Sequence, residues 1–141
     1  MPSFGTKSKK NLTGVNPELI RVLNEAIKRV DFSVIEGIRS LERQQELFRA
    51  GKSQTMNSKH LHGNAVDLIP YPFSGWANVD QFKDMALIIL EVASQLGVGI
   101  RYGGNWTSFS DYPHFEIKGK AQLLPNGPTD AEIEAKLKEL E

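Results

Sequence analysis

The chain contains no cysteine, and this absence limits both how it can fold and how it can hold a metal. A disulfide framework, a thiolate nucleophile and any cysteine-based zinc site are excluded. With 141 residues, of which 40% are hydrophobic, the chain is long enough for one domain with its own apolar core. Any metal would have to be held by carboxylates and by the three histidines of the sequence, His60, His62 and His114.

The charge balance and the apolar runs restrict the partners. Lysine plus arginine and aspartate plus glutamate each number 17, so the formal net charge is zero, which does not favour nucleic acid or an anionic membrane. Met1–Lys10 lacks an apolar stretch of signal-peptide length, and the longest apolar run, Met85–Leu90, is too short to cross a bilayer. We therefore expect no stable membrane association, and we also expect a monomer. We expect the protein to be made and kept in a cytoplasm unless something else releases it.

The order of helix and strand signals predicts an α+β fold. Helix caps precede periodic apolar segments, and Gln81 follows Asn78 at the spacing of a capping box. Short runs rich in apolar and β-branched residues, bounded by glycine or proline, predict strands. We expect a small, mainly antiparallel sheet with helices packed on it. The helices are expected to begin after Asn16, Ser40 and Asn78, and the strands to lie near 32–36, 65–69, 98–102 and 114–117.

The character of the sequence changes after Gly119. The run Pro125–Pro128 (PNGP) is typical of a turn or linker, and Thr129 can cap a final charged helix. We therefore divide the chain into a domain over 1–119 and a linker with a helical tail over 120–141. The sequence does not decide whether this tail packs on the domain.

The segment Ser58–Asp67 (SKHLHGNAVD) carries two candidate metal ligands, His60 and Asp67. A spacing of seven separates them by about 10 Å along a helix, whereas ligands of one zinc ion lie about 2 Å from it. On an unbroken strand the odd spacing would point them to opposite faces. A shared metal therefore requires a bend, which Gly63 can supply.

The segment Asp111–Glu116 (DYPHFE) supplies the other candidates. His114 would be a third ligand at the start of a strand, and two imidazoles with one carboxylate leave a fourth zinc position for water. Asp111 could take a proton from that water. Other interpretations stay open at this point: either histidine can be a structural hydrogen-bonding group, Asp67 a buried capping acid and Asp111 a turn former, and His62 can replace His60.

These segments together resemble a known family. Ser58–Asp67 matches Ser-x-His-x-x-Gly-x-Ala-x-Asp at every defined position, and an acid-x-x-His motif follows at Asp111. The pattern resembles the zinc D-Ala-D-Ala-type peptidases, which share the hedgehog fold. It is similar in particular to phage endolysins that are L-alanyl-D-glutamate endopeptidases. The likeness spans about residues 4–118 and includes the runs Gly37–Ser40 (GIRS) and Tyr102–Trp106 (YGGNW).

The resemblance implies a fold, a cofactor and residue roles. The fold would be that of the hedgehog and D-Ala-D-Ala peptidase group, and Zn²⁺ would be bound by His60, Asp67 and His114. Asp111 would be the catalytic base, and Arg39 would orient the substrate and stabilise charge on the reacting carbonyl. The substrate would be the peptide stem of bacterial peptidoglycan, cleaved during host cell lysis.

Several alternatives remain beside this interpretation. Arg39 can equally be a surface residue near a helix start, and Tyr102 and Trp106 can pack in the core or line a substrate groove. The family's Gly-Gly-Asp-Trp run has Asn105 here, so no charged role is assigned at that position. A D-Ala-D-Ala carboxypeptidase or dipeptidase is one rival function, and a non-catalytic zinc-binding module is another.

Overall fold

The computed structural model describes residues 2–119 and 121–140. Within these residues, helices and strands alternate along most of the chain, as the sequence predicts. The helices are α1 Thr6–Asn11, α2 Pro17–Ala26, α3 Leu41–Arg49, α4 Val79–Leu96 and α5 Asp130–Lys138. The strands are β1 Phe32–Glu36, β2 Ala65–Pro70, β3 Ile100–Tyr102 and β4 His114–Ile117. Short 3₁₀ turns occupy Lys59–His62 and Gly103–Asn105.

The predicted helix caps are present, with one difference. The side chains of Asn16, Ser40 and Asn78 each accept a backbone hydrogen bond in the first turn of the helix that follows. The capping box at Asn78 is incomplete, because Gln81 Oε1 accepts hydrogen bonds from the hydroxyl and the amide of Ser74 instead of from the Asn78 backbone amide. A complete capping box forms at the start of α5. Helix α1 was not predicted.

The sheet is antiparallel throughout and has the strand order β1–β2–β4–β3. This confirms the predicted α+β class with a small antiparallel sheet. In the central pair Val66 lies opposite Phe115, and Asp67 lies opposite His114. Because side chains alternate along a strand, Val66 and Phe115 face the core while Asp67 and His114 face the other side.

Helix α4 covers the core face of the sheet. Its apolar stripe is buried against the strands and α2, and Gly97 ends it in the left-handed conformation, with a φ of 71°. The buried residues of this stripe are Phe82, Met85, Ala86, Ile89, Val92 and Ala93. In residues 2–119 and 121–140, no helix combines the length and apolar character needed to span a bilayer.

An irregularity in β1 turns one acidic side chain toward the non-core face. The register with β2 shifts between Val34 and Glu36, so that Val34 pairs with Leu68 but Glu36 pairs with Asp67. A bulge of this kind changes the face on which the next residue lies. Val34 is therefore in the core, whereas Glu36 lies beside Asp67.

The C-terminal segment packs on the rest of the chain, which settles the point that the sequence left open. Ile133 of α5 is 8% exposed and belongs to a small apolar cluster with Leu41, Met56 and Leu61. The Gln45 amide donates to the Lys136 carbonyl at 3.0 Å. The division into 1–119 and 120–141 stays a prediction, because these contacts do not establish which part folds alone.

Candidate metal centre and active-site cleft

The bend before β2 positions His60. The Ser58 hydroxyl accepts a hydrogen bond from the His60 amide at 3.2 Å, which starts the 3₁₀ turn Lys59–His62. Gly63 ends this turn with a φ of 74°, as the sequence predicts. A Cβ at Gly63 would lie 2.9 Å from the Gly14 carbonyl oxygen, so both its conformation and the available space favour glycine.

A backbone contact determines which nitrogen of His60 faces the site. Nδ1 lies 2.8 Å from the Gly37 carbonyl oxygen, which can only accept, so Nδ1 carries the proton and donates it. The other ring nitrogen, Nε2, then points toward Asp67, and it carries the lone pair that can bind a metal when the ring is neutral. The ring is 1% exposed, so the residues packed around it also restrict its orientation.

His114 faces the same point from the neighbouring strand. Its Nδ1 lies 3.3 Å from Asp67 Oδ1, while its Nε2 lies 2.7 Å from Glu116 Oε1. Because Asp67 and His114 are register partners on β2 and β4, the sheet itself holds them side by side. Glu116 shares their face, since it follows His114 by two residues on the strand.

Three donor atoms form a nearly equilateral triangle. His60 Nε2, Asp67 Oδ1 and His114 Nδ1 are each 3.3 Å from the other two. Donors about 2.0–2.1 Å from a tetrahedral ion are separated by about 3.3–3.4 Å, so the spacing fits one such ion. Within the described ranges, these three residues also form a group able to hold a metal. Three protein ligands leave the fourth position of a tetrahedral ion free.

Within the triangle, Asp67 and His114 shift each other's pKa. Burial raises the pKa of Asp67, but hydrogen bonds from His114 and His60 outweigh burial and hold that pKa well below its ordinary value. Burial lowers the pKa of His114, whereas its hydrogen bonds to Asp67 and Glu116 raise it to about 9. The metal-free His114 therefore carries a proton on each ring nitrogen at neutral pH, and a metal that binds Nδ1 must displace the proton there.

Asp111 lies at the edge of the triangle on a loop fastened at Gly103. The Gly103 carbonyl accepts hydrogen bonds from the amides of Trp106 and Asp111, at 3.2 and 3.0 Å. A Cβ at Gly103 would lie 2.5 Å from the Asp111 carbonyl oxygen, so a larger residue would displace the loop. Asp111 Oδ2 is 4.0 Å from His114 Nδ1, and its side chain is 32% exposed. Burial and the charge of Asp67 raise the pKa of Asp111, which makes it a stronger base.

Arg39 is buried against the acidic side of the site. Its guanidinium donates to Glu36 Oε1, to Gln44 Oε1 at 2.8 Å and to Asp67 Oδ2 at 3.3 Å. The Asp67 oxygen that it contacts is the one outside the triangle of donor atoms. Arg39 is 8% exposed, so the open alternative of a surface residue is wrong.

A cleft of about 390 Å³ opens on the His114 side of the triangle. The Trp106 ring lies 5.2 Å from the His114 ring and lines this cleft with Phe109 and Asp111. Tyr102 is instead 3% exposed and stacks on Phe115 in the core. The two aromatic residues that the sequence could not distinguish thus differ in location.

His62 and Glu116 are the residues whose places the sequence did not predict. His62 Nδ1 accepts from the Leu124 amide and its Nε2 donates to the Pro128 carbonyl, so its ring faces the C-terminal segment rather than the triangle. Glu116 contacts His114 directly. Its position two residues after a candidate ligand on a strand was the signal that could have identified it.

Comparison with known proteins establishes the family. Residues 2–123 match the model of the phage L-alanyl-D-glutamate peptidase family. The L-alanyl-D-glutamate peptidase of Escherichia phage T5 is 32% identical over 123 residues, covering 82% of this chain and 88% of that protein. The Bacillus subtilis peptidoglycan L-alanyl-D-glutamate endopeptidase CwlK is 31% identical over 108 residues, covering 65% of this chain and 64% of CwlK. The chain belongs to the phage L-alanyl-D-glutamate peptidase family.

Solved structures agree with this assignment. The Serratia marcescens L-Ala D-Glu endopeptidase ChiX superposes with a TM-score of 0.75 at 39% identity, covering 82% of this chain and 89% of ChiX. The vancomycin-resistance D,D-pentapeptidase VanY, whose structure contains Zn(II), gives a TM-score of 0.54 at 17% identity, with 89% and 78% covered. The second likeness shows the fold alone and confirms the predicted D-Ala-D-Ala peptidase-like architecture.

Proposed function

We propose that this protein is a zinc-dependent endopeptidase that hydrolyses the L-alanyl-D-glutamate bond in the peptide stem of bacterial peptidoglycan. The observation that carries the proposal is the triangle of His60 Nε2, Asp67 Oδ1 and His114 Nδ1 beside a cleft. The names of the phage T5, CwlK and ChiX relatives support the choice of bond. In this proposal a phage endolysin uses the activity to lyse its host.

The donor set favours zinc over other common ions. Two imidazole nitrogens and one carboxylate oxygen are ligands typical of zinc, whereas calcium and magnesium prefer sites built from oxygen alone. The 3.3 Å separations between the donor atoms match those expected when each donor lies about 2.0–2.1 Å from one tetrahedral ion. We therefore assign His60, Asp67 and His114 as ligands in this proposal.

The remaining residues are given roles that follow from their positions. A bound zinc ion supplies a Lewis acid for the scissile carbonyl and lowers the pKa of an attacking water. Asp111, with its raised pKa, takes the proton of that water and passes it to the departing amine of D-glutamate. Arg39 holds Asp67 through Oδ2 and adds positive charge near the reacting carbonyl oxygen.

Other parts of the sequence-based interpretation remain proposals of the same kind. They are that the protein is a monomer, that it does not bind the membrane stably, and that it waits in the host cytoplasm before reaching the wall. The wall peptide is the partner that the relatives' names support.

Product analysis on purified peptidoglycan tests the proposed bond. Cleavage at L-alanyl-D-glutamate leaves alanine as a new carboxyl terminus and glutamate as a new amino terminus, both identifiable by mass spectrometry. We expect activity to disappear with a chelator and to return with Zn²⁺, and the Asp111→Asn variant to serve as the inactive control. Release of free D-alanine without a new glutamate amino terminus would replace the proposal with a carboxypeptidase.

A further inference from the structure

Glu116 accepts the shortest hydrogen bond made by the side chain of a proposed zinc ligand, and its donor is His114. Its Oε1 lies 2.7 Å from His114 Nε2, and the two residues are 7% and 6% exposed. They are separated by one residue on β4, so the strand places both on the same face of the sheet. The contact is on the side of the His114 ring opposite to the triangle of donor atoms.

This contact decides which nitrogen of His114 can bind a metal. A neutral imidazole has one N–H group, and a carboxylate can only accept, so the proton lies on Nε2. The lone pair is then on Nδ1, which is the atom at the corner of the triangle. His60 is oriented in the reverse sense by the Gly37 carbonyl, so each imidazole has its own acceptor.

A lysine keeps the Glu116 carboxylate in place. Lys59 Nζ lies 3.4 Å from Glu116 Oε2, the oxygen that does not contact His114, and donates to the Ile117 carbonyl at 2.6 Å. Arg101 is farther away, at 3.9 Å, and its side chain is 53% exposed. A buried carboxylate requires such partners, because an unpaired buried charge is strongly unfavourable.

We infer that Glu116, braced by Lys59, is a positioning residue that orients His114 for metal binding through Nδ1. This inference rests on the proposed zinc site and adds two residues to it. A carboxylate behind a ligating histidine fixes its tautomer and increases its basicity, and loss of such a partner typically costs about 10–100-fold in metal affinity or activity. Neither Glu116 nor Lys59 contacts the ion in this arrangement.

The direct test is zinc affinity in matched variants. Zn²⁺ dissociation constants are measured by competition with a chromophoric chelator for wild type, Glu116→Gln and Lys59→Met. The controls are Arg101→Gln, which removes the more distant and exposed charge, and Glu91→Gln, which makes the same chemical change on the remote and exposed α4 surface. We expect Glu116→Gln to weaken zinc binding by about 10–100-fold, Lys59→Met to weaken it less, and both controls to match wild type.

A second readout separates orientation from general loss of structure. The visible spectrum of the Co²⁺-substituted protein reports ligand geometry, and we expect it to change in Glu116→Gln while the unfolding temperature of the metal-free variant stays near wild type. Wild-type affinity and an unchanged spectrum in Glu116→Gln would overturn the inference. If that variant does not fold, wild-type affinity in Lys59→Met overturns it instead. A wild-type chain that binds no zinc would refute the proposed function itself, which is a separate result.

Discussion

Replacing Arg39 tests a residue that the sequence left open as a surface side chain and that the structure shows to be buried. The guanidinium is 8% exposed and donates from Nε, Nη1 and Nη2 to three different side chains, Glu36, Gln44 and Asp67. Arg39→Ala removes all of these bonds, and Arg39→Lys keeps at most part of them, because an ammonium lacks the planar arrangement of donors. Both variants should therefore affect stability as well as activity.

The size of the stability effect follows from burial. Removing one partner of a buried ion pair costs about 3–5 kcal/mol. The carboxylates of Glu36 and Asp67 keep 24% and 15% exposure, so water can partly replace the lost partner and the lower end applies. For a chain of this size, about 3 kcal/mol in Arg39→Ala lowers the melting temperature by roughly 10 °C.

Kinetics then separate catalysis from structure. If Arg39 also stabilises charge on the carbonyl oxygen, kcat on a muropeptide should fall by about 10²–10³-fold, as for loss of one oxyanion donor. If it instead binds a carboxylate of the substrate, KM should rise while kcat barely changes. The assays are run at a temperature where every variant is folded and saturated with zinc.

Two outcomes would refute this reasoning. A melting temperature within 2–3 °C of wild type in Arg39→Ala, a shift of less than about 1 kcal/mol, would mean that the contacts with Glu36, Gln44 and Asp67 contribute little. Normal kcat and KM in a destabilised variant would limit Arg39 to a structural role and leave Asp111 and the metal as the proposed machinery.

Four further predictions concern the proposed machinery. Asp111→Asn should keep zinc and fold but lose about 10²–10⁴-fold in turnover; near-normal turnover removes Asp111 from the mechanism. His60→Ala should bind little zinc by metal analysis, whereas His62→Ala should retain it; the reverse result makes the ligand assignment wrong. Because a metal must displace the His114 proton, apparent zinc affinity should fall about tenfold for each pH unit below about 9; a flat profile between pH 6 and 8 contradicts this. Truncation after Lys118 should lower the melting temperature through loss of the α5 contacts yet leave a cooperatively folding, zinc-binding domain; a non-cooperative melt shows that the tail completes the core.

The sequence allowed the bend and the strands of the site to be predicted because local signals agreed there. Gly63 lies where the chain must turn, and its φ of 74° is one that glycine adopts without strain. Short apolar runs bounded by glycine or proline predicted the strands that carry Asp67 and His114. These features depend on neighbouring residues, which a sequence displays directly.

The features that could not be predicted depend on tertiary contacts. The environment of Arg39 requires the irregularity in β1 that turns Glu36 to the site face, and no local residue pattern indicates a bulge there. The role of Glu116 depends on which His114 nitrogen faces Asp67, a choice that spacing does not determine. The packing of α5 depends on Ile133 meeting Leu61, which is distant along the chain.

The pairing of Asp67 with His114 across β2 and β4 has a consequence for folding fidelity. A slip of one residue between these strands would turn His114 to the opposite face, because side chains alternate along a strand. A misaligned sheet would then have only two of the three donors and bind zinc weakly. Zinc present during refolding should therefore enrich the correctly aligned chain, since an ion that binds only this arrangement stabilises it by mass action.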